Sequence, residues 1–302
     1  MLDILIQAGS YVAIIFLGIF LRRIGFFGPE AFPVLSKVVI KFTLPAAIIY
    51  NAAGRTIDTG MLLIPLLGLG GGAIYIAVAA LLHSRHTKEQ RAFGVLNSAG
   101  YNIGAFAMPF TQGFLGPMGV AATSLFDVGN SFICLGGSFG VASAIKAGEG
   151  FNVRRILKAL VTSIPFMTHV ITVAMNLLFI PIPGPVVSCA KLVANANAAM
   201  AMLMIGVGFH LSGDRSQAGV IARVLIPRYV IAAVLALCFY NLLPFALEVR
   251  QALVILCFSP IGSAIPGFTR ELGEDAGLSS AINSIAILIS IAVIVTLLVV
   301  ML

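Results

Sequence analysis

The sequence predicts an all-α membrane protein with ten transmembrane helices, arranged as a 5+5 inverted repeat with two proline-broken crossing helices. Its 302 residues are 60% hydrophobic and only 10% charged, with a mean hydropathy of +1.08. Soluble domains carry about 25% charged residues, so the composition excludes that class. Apolar stretches of about 20 residues, the length that crosses a bilayer, recur along the chain. Similar proline-containing motifs occur in both halves.

The apolar stretches define ten spans separated by short loops. The basic pair that follows the first stretch favours a membrane span over a cleaved signal peptide, whose positive charges precede its apolar run. In order, the spans are Leu2–Leu21, Phe32–Ala53, Met61–His83, Ala92–Leu115, Met118–Ile145, Ile156–Ile180, Val186–Leu211, Val220–Leu243, Val249–Phe268 and Leu278–Leu302.

Basic residues are concentrated in alternate loops. The loops after the even-numbered spans carry only Arg55 and Arg250. The loops after the odd-numbered spans carry Arg22, Arg23, Arg85, Lys88, Arg91, Lys146, Arg154, Arg155, Lys158, Arg215 and Arg270. Because cytoplasmic loops are enriched in Lys and Arg, this asymmetry predicts a multi-pass protein of the plasma membrane with both termini outside. The net charge of +7 therefore reflects orientation in a lipid bilayer, and no nucleic-acid partner is expected.

The two halves repeat each other in the order of their motifs. Pro33-Val-Leu-Ser36 begins span 2, and Pro185-Val-Val-Ser188 begins span 7. Leu115-Gly116 and Leu272-Gly273 are separated by the same interval as Pro109 and Pro266. Since five is an odd number of spans, residues 151–302 would cross the bilayer in the opposite sense to residues 1–150. Chance similarity between Ala- and Gly-rich helices is the alternative.

Spans 4 and 9 carry the proline-broken motifs. Broken helices at matching positions of an inverted repeat indicate the midplane binding site of a secondary transporter. Each break leaves a half-helix N-terminus with free N–H groups, which favours an anion. The first helix is expected to open at Gly104 or at Pro109; two kinked packing helices are the alternative. The residues predicted here for binding or breaking are Tyr101, Asn102, Gly104, Pro109, Ser259, Pro260, Gly262, Ser263 and Pro266.

Polar residues inside spans are costly and are therefore functional candidates. Asp127 is the only acid well inside a span, and it is either a coupling site for a proton or cation or a partner for a lysine. Asn283 on span 10 is a second coupling candidate. Lys41 on span 2 either faces the crossing, where it would favour a dianion, or lies at a dimer face. Asn195 and Asn197 either line a polar cavity or bond a neighbouring helix.

Other polar residues are interpreted as structural. Arg223 and Arg228 are expected to pair or to reach the membrane surface, and His169 and His210 lack metal or triad companions. The four cysteines have no metal-type spacing. No H-E-x-x-H motif and no close pair of acids within a span is present, so neither an enzyme nor a resident cofactor or metal is expected.

The chain resembles the auxin efflux carrier family. Three features are similar to that family: Ser36-Lys37-Val38-Val39-Ile40 leading to Leu44-Pro45, the Asn102…Pro109 segment, and Pro260-x-Gly262 leading to Arg270-Glu271-Leu272. The resemblance implies a homodimer with a scaffold of spans 1, 2, 6 and 7. It also implies an elevator-like transport domain of spans 3–5 and 8–10, as in sodium/proton antiporters and bile-acid symporters. It further implies that Asn102 contacts a carboxylate.

Three residues depart from the family pattern. Tyr101 replaces a common proline, Lys41 a neutral residue, and Asp127 an amide, so the resemblance does not define substrate or coupling ion. The expected function is secondary transport of a small organic anion, a mono- or dicarboxylate or auxin-like acid, with possible coupling to H+ or Na+. A sodium-coupled carrier of the bile-acid-symporter type is the first alternative, and a membrane receptor or channel is the second.

Overall fold

The computed structural model describes residues 2–54, 59–148, 152–210 and 215–302, and these are helical with no strand. Arg55 and Leu211, and the side chain of Arg215, lie outside the described residues. The α-helices are α1 (Leu2–Arg23), α2 (Ala31–Val38), α3 (Leu44–Ala52), α4 (Ile64–Leu82), α5 (Lys88–Ser98), α6 (Met108–Phe114), α7 (Pro117–Phe132), α8 (Ser138–Ala147), α9 (Val153–Thr162), α10 (Ile164–Leu177), α11 (Gly184–Ala194), α12 (Asn197–Gly208), α13 (Ala218–Leu242), α14 (Leu247–Cys257), α15 (Ile265–Glu271) and α16 (Ala276–Met301).

Seven helical segments are long and apolar enough to cross a membrane. They are Leu5–Arg23, Ala31–Ala52, Gly60–Leu82, Pro117–Ala147, Gly184–Gly208, Ala218–Leu242 and Ala276–Met301. The pair α9 and α10, bent by 74°, gives an eighth. A multi-pass membrane protein is thus confirmed, while the ten-span inverted repeat remains a prediction.

Predicted spans 4 and 9 are the interrupted segments. The first helix stops at Ser98, the chain runs non-helically through Ala99–Asn102 with Gly100 at φ +77°, and a π-helical turn, Ile103–Ala107, then leads into α6. The second stops at Cys257 and resumes at Ile265. None of these half-helices approaches the roughly 20 residues that a bilayer requires.

The prolines do not all lie where the helices break. The first interruption precedes both Gly104 and Pro109, so the predicted positions of the break are wrong. Pro109 is the second residue of α6 and follows a π-helical turn, which accommodates its missing N–H and its ring. Pro45 follows the π-helical turn Val39–Thr43 in the same way. Pro260 lies inside the second interruption, and Pro266 lies in the first turn of α15, where proline is tolerated.

Glycines bring two pairs of helices into close contact. Gly68 of α4 packs on the carbonyl of Phe126, and Gly129 of α7 packs on the carbonyl of Pro65. Gly18 of α1 and Gly206 of α12 meet in the same manner. Small residues at such contacts allow backbones to approach in membranes, where apolar area alone drives little association. Helices α4 and α7 therefore pack as one tight pair, and α1 and α12 as another.

Candidate functional site

A cavity of about 720 Å³ lies beside the two interruptions. One wall comes from the end of α1, the start of α2 and the C-terminal end of α12, and the other comes from the interruptions, α15 and α16. Four residues singled out from the sequence line it: Asn102, Ser263, Pro266 and Asn283. The other polar side chains of the lining are Arg22, Glu30, His210, Arg270, Ser280 and Ser284. The cavity is large enough for a small organic molecule.

Asn102 connects this cavity to the crossing of the broken helices. Its backbone N–H donates to the carbonyl of Pro260 across 2.9 Å, so the two interruptions touch at this residue. Its side chain is 6% exposed and makes no hydrogen bond within the described part of the chain. Asn283 likewise has a buried Oδ1 with no partner among the described residues. Buried amides normally find partners, so both are available to a ligand.

The charges around the cavity have a basic excess. Arg22 is held by the carbonyls of Val207 and Phe209, at 2.8 and 3.0 Å, which places its charge at the end of α12. Arg270 lines the cavity on the opposite wall and has no acidic partner in the described residues. Glu30 is the single acid among the described residues of the lining. Two guanidiniums against one carboxylate favour an anionic ligand.

Arg228 connects the two interruptions through hydrogen bonds to their backbone carbonyls. It is 1% exposed and donates to the carbonyls of Ser98 at 2.6 Å, Gly100 at 2.8 Å and Ser259 at 2.8 Å. Its guanidinium also lies 4.8 Å from the ring centre of Tyr75. These carbonyls lie at or beyond the C-terminal ends of α5 and α14, where the helix dipole is negative. The buried cation therefore satisfies backbone groups that the breaks would leave unpaired.

Some of the predicted site residues lie at the crossing of the interruptions without lining the cavity. These buried residues are Tyr101, Gly104, Ser259 and Gly262. Tyr101 packs edge-on against Tyr75 and Phe126, so its ring is a core element.

The polar residues predicted on spans 2 and 7 do not reach the cavity. Lys41 and Asn195 are exposed on the outside of the helices and do not line the cavity, so their role as substrate ligands stays a prediction. Asn197 is fully buried and accepts from the hydroxyl of Thr43 at 2.9 Å. The π-helical turn directs Val39 and Thr43 inward and Lys41 outward.

Asp127 lies beneath the first interruption and is 9% exposed. Its Oδ1 accepts from Asn130 at 2.9 Å, and its Oδ2 lies 3.6 Å from Nε2 of His169. Its partner is therefore a histidine and not a lysine. Asn283 is on the wall of the cavity and is not joined to Asp127 by any hydrogen bond in the described residues.

Sequence reasoning gave too little weight to Arg228, His169 and Asn130. The partners of Arg228 are backbone carbonyls, and since every residue has a carbonyl, the sequence does not indicate which of them Arg228 contacts. The partner of His169 is on another span. The one available signal was that Asp127 and His169 are both ionisable residues inside apolar spans. No cluster of metal-binding side chains occurs in the described ranges.

Part of the chain, including the first interruption, is similar to a known protein family. The family model described as a membrane transport protein, that of the auxin efflux carriers, matches residues 10–152. These residues make up just under half of the chain, and over them the chain is similar to the auxin efflux carrier family. The match includes the first interruption with Asn102, and Asp127 with Asn130. The matched family is one of membrane transporters and not of enzymes. No curated protein matches the chain significantly.

Proposed function

We propose that this protein belongs to the auxin efflux carrier family and transports a small organic anion, a mono- or dicarboxylate or auxin-like acid, and that the 720 Å³ cavity is its substrate site. The observation that carries the proposal is the unpartnered amide of Asn102, 6% exposed, at the contact between the two interruptions. An amide N–H that donates to a carboxylate makes a charge-assisted hydrogen bond, one of the stronger kinds.

The surroundings of Asn102 support an anion over a cation. Asn102 precedes the helical segment Ile103–Phe114, whose first N–H groups are free to meet negative charge. The hydroxyl of Ser263 and the guanidinium of Arg270 lie on the same cavity wall. Arg228 satisfies the opposite, negative ends of the broken helices, so those ends do not repel an anion.

The composition of the cavity walls supports alternating access by an elevator-like movement. One wall comes from spans 1, 2 and 7, and the other from the interruptions and α16. The α4–α7 and α1–α12 contacts would each keep one of these bodies rigid. Since Arg22 and Arg270 mark the basic, cytoplasmic ends of their spans, the cavity opens to the cytoplasm in this conformation.

The outer face of spans 2 and 7 is proposed as the interface of a homodimer. Lys41 and Asn195 are exposed there beside the apolar side chains of Phe42, 63% exposed, and Leu192, 77% exposed. Polar groups facing lipid hydrocarbon are costly, and a second copy would cover them. Chemical crosslinking in native membranes would detect the dimer.

The test of function uses purified protein and two probes, lactate and succinate. Ligand binding to the folded state raises the midpoint of thermal unfolding, so a carboxylate substrate should raise it and an equal concentration of choline should not. In liposomes, a carrier should show saturable uptake and counterflow of the labelled probe, which a channel does not. No stabilisation and no saturable uptake by a panel of mono- and dicarboxylates would contradict the proposal.

A further inference from the structure

Asp127 and His169 form a buried pair that the substrate site does not use. Nε2 of His169 lies 3.6 Å from Oδ2 of Asp127, and the histidine is fully buried. Neither ring nitrogen of His169 has a hydrogen-bond partner in the described chain. An ionised carboxylate inside a membrane protein is costly, and a proton bound to the carboxylate removes that cost. The pair therefore places a carboxylate and an imidazole, both able to carry a proton, side by side inside the membrane.

No other charged group is bound to the pair in the described residues. Cys134 is joined to the same network, with its thiol 3.3 Å from Oδ1 of Asn130. Among the described residues no hydrogen bond or ion pair joins Asp127 or His169 to the other ionisable side chains on the elements packed against α7 and α10. These are Lys41, Tyr50, Tyr75, Tyr101, Arg154, Arg155, Lys158, Glu248, Arg250 and Cys257.

The pair joins the two bodies that alternating access would move. Asp127 is on α7, in predicted span 5 of the transport domain, and His169 is on α10, in predicted span 6 of the scaffold. Movement of one body past the other must separate these side chains. Separation of an ionised pair would leave two unpaired charges in a medium of low dielectric, whereas a neutral carboxylic acid and a neutral imidazole separate at much lower cost.

Two small neighbouring cavities lie close to the pair without being lined by it. A cavity of about 230 Å³ lies beside the loop after α10 and shares Ala52, Thr172 and Asn176 with one of about 30 Å³. The smaller cavity is lined by Ser124 and Thr172, each one helical turn from Asp127 and His169 respectively. The 230 Å³ cavity lies at Ala52, the opposite end of span 2 from the substrate cavity, which is lined by Glu30 and Phe32.

Asp127 is also connected to the crossing. Asn130 donates to Oδ1 of Asp127 at 2.9 Å and to the carbonyl of Tyr101 at 2.8 Å. The Oδ1 of Asn130 accepts the backbone N–H of Tyr101 at 3.0 Å. Tyr101 directly precedes Asn102. A change in the charge of Asp127 therefore acts on an amide that holds the backbone beside the substrate site.

We propose that the Asp127–His169 pair is the proton-binding site that couples a proton gradient to anion movement, an inference that rests on the proposed function. A proton from water enters through the smaller cavities and binds the carboxylate of Asp127. The resulting acid moves with the transport domain, His169 stays neutral on the scaffold, and the proton returns to water on the other side. A hard cation such as Na⁺ is a poorer occupant, since an imidazole nitrogen and one free carboxylate oxygen do not supply its preferred oxygen shell.

The test compares Asp127→Asn and His169→Gln with the parent in liposomes, using labelled succinate or lactate, whichever the parent takes up. With the membrane potential clamped at zero, coupling to one proton allows about tenfold accumulation per unit of pH gradient. Asp127→Asn should lose this accumulation and retain exchange of labelled for unlabelled probe, which needs no net proton movement. His169→Gln keeps the carboxylate but removes its neighbour, so it should lower accumulation without abolishing it. His83→Gln, another buried histidine, is the matched control and should accumulate like the parent. Accumulation by Asp127→Asn at the parent's level, parent-like accumulation by His169→Gln, or accumulation driven by sodium alone overturns the proposal.

A second measurement uses the parent protein alone, so its outcome does not depend on whether the variants fold. Addition of the probe to the parent protein in weakly buffered detergent at pH 7 should change the pH, because substrate and proton binding are linked. No proton uptake or release on saturating the parent overturns the proposal without any variant. If the parent neither binds nor exchanges any carboxylate, the proposed function itself fails. If it exchanges carboxylates but takes up or releases no proton, only this inference fails.

Discussion

Nη2 of Arg228 lies 2.8 Å from the carbonyl oxygen of Ser259, and the same nitrogen lies 2.8 Å from the carbonyl oxygen of Gly100. One atom of a side chain on α13 thus binds both interruptions. The direct bond from the N–H of Asn102 to the carbonyl of Pro260 reinforces this connection. The two broken helices are therefore fixed to each other and would move as a unit.

Substitution of Arg228 should destabilise the fold strongly. Arg228→Met leaves three buried carbonyls without their charged donor, at an expected cost of about 3 kcal/mol or more. Thermal unfolding of the purified protein should show a clearly lowered midpoint. Arg223→Met is the matched control on the same helix, since Arg223 is exposed and contacts His86. Equal midpoints for the two variants would contradict the bridging role.

Removal of the Asn102 amide should weaken anion binding. Asn102→Ala should cost about 1–3 kcal/mol, the usual range for a hydrogen bond to a charged group. Titration of lactate or succinate against thermal stability would measure this loss. Asn195→Ala, which truncates an exposed amide, should leave affinity unchanged. Parent-like affinity in a folded Asn102→Ala variant would remove Asn102 from the site.

The contact between α4 and α7 should tolerate no side chain at Gly68. Gly68→Ala forces a Cβ into the carbonyl of Phe126, and overpacking of this kind costs about 1–3 kcal/mol or more. Gly70→Ala, on the same helix, meets nothing within 4 Å and should be neutral or slightly stabilising. Size-exclusion profiles and unfolding midpoints of the two variants would measure the difference. Similar behaviour of both would show that the contact can relax.

Lys41 should not select the charge of the substrate. The sequence suggested that Lys41→Met would selectively impair a dicarboxylate, but the side chain is exposed on the outside of span 2. We therefore expect the ratio of succinate to lactate transport to stay at the parent's value. Crosslinking yield is the property that should change if Lys41 lies at a dimer face. A selective loss of succinate transport would return Lys41 to the substrate path.

The sequence predicted which two segments contain broken helices, but it did not predict the residues at which the helices break. Glycine and proline in otherwise apolar segments indicated broken helices, and Asn102 at such a break indicated a ligand site. Pro109 was misleading because a π-helical turn before it lets the helix continue. The connection between Asp127 and His169 could not be predicted, because it depends on how two different spans pack. Arg228 was hidden for another reason, since its partners are carbonyl groups that every residue carries.

The side-chain amide of Asn130 accepts a hydrogen bond from the backbone N–H of Tyr101 and donates one to its carbonyl. The backbone of the first interruption is therefore hydrogen-bonded without a bound solute. Solute capture need not unravel a helix, so no ordering penalty is subtracted from affinity. Preorganisation of this kind raises affinity, because the same hydrogen bonds are present in the empty and the occupied protein. Binding and release of the solute then require no folding or unfolding of the backbone at the interruption.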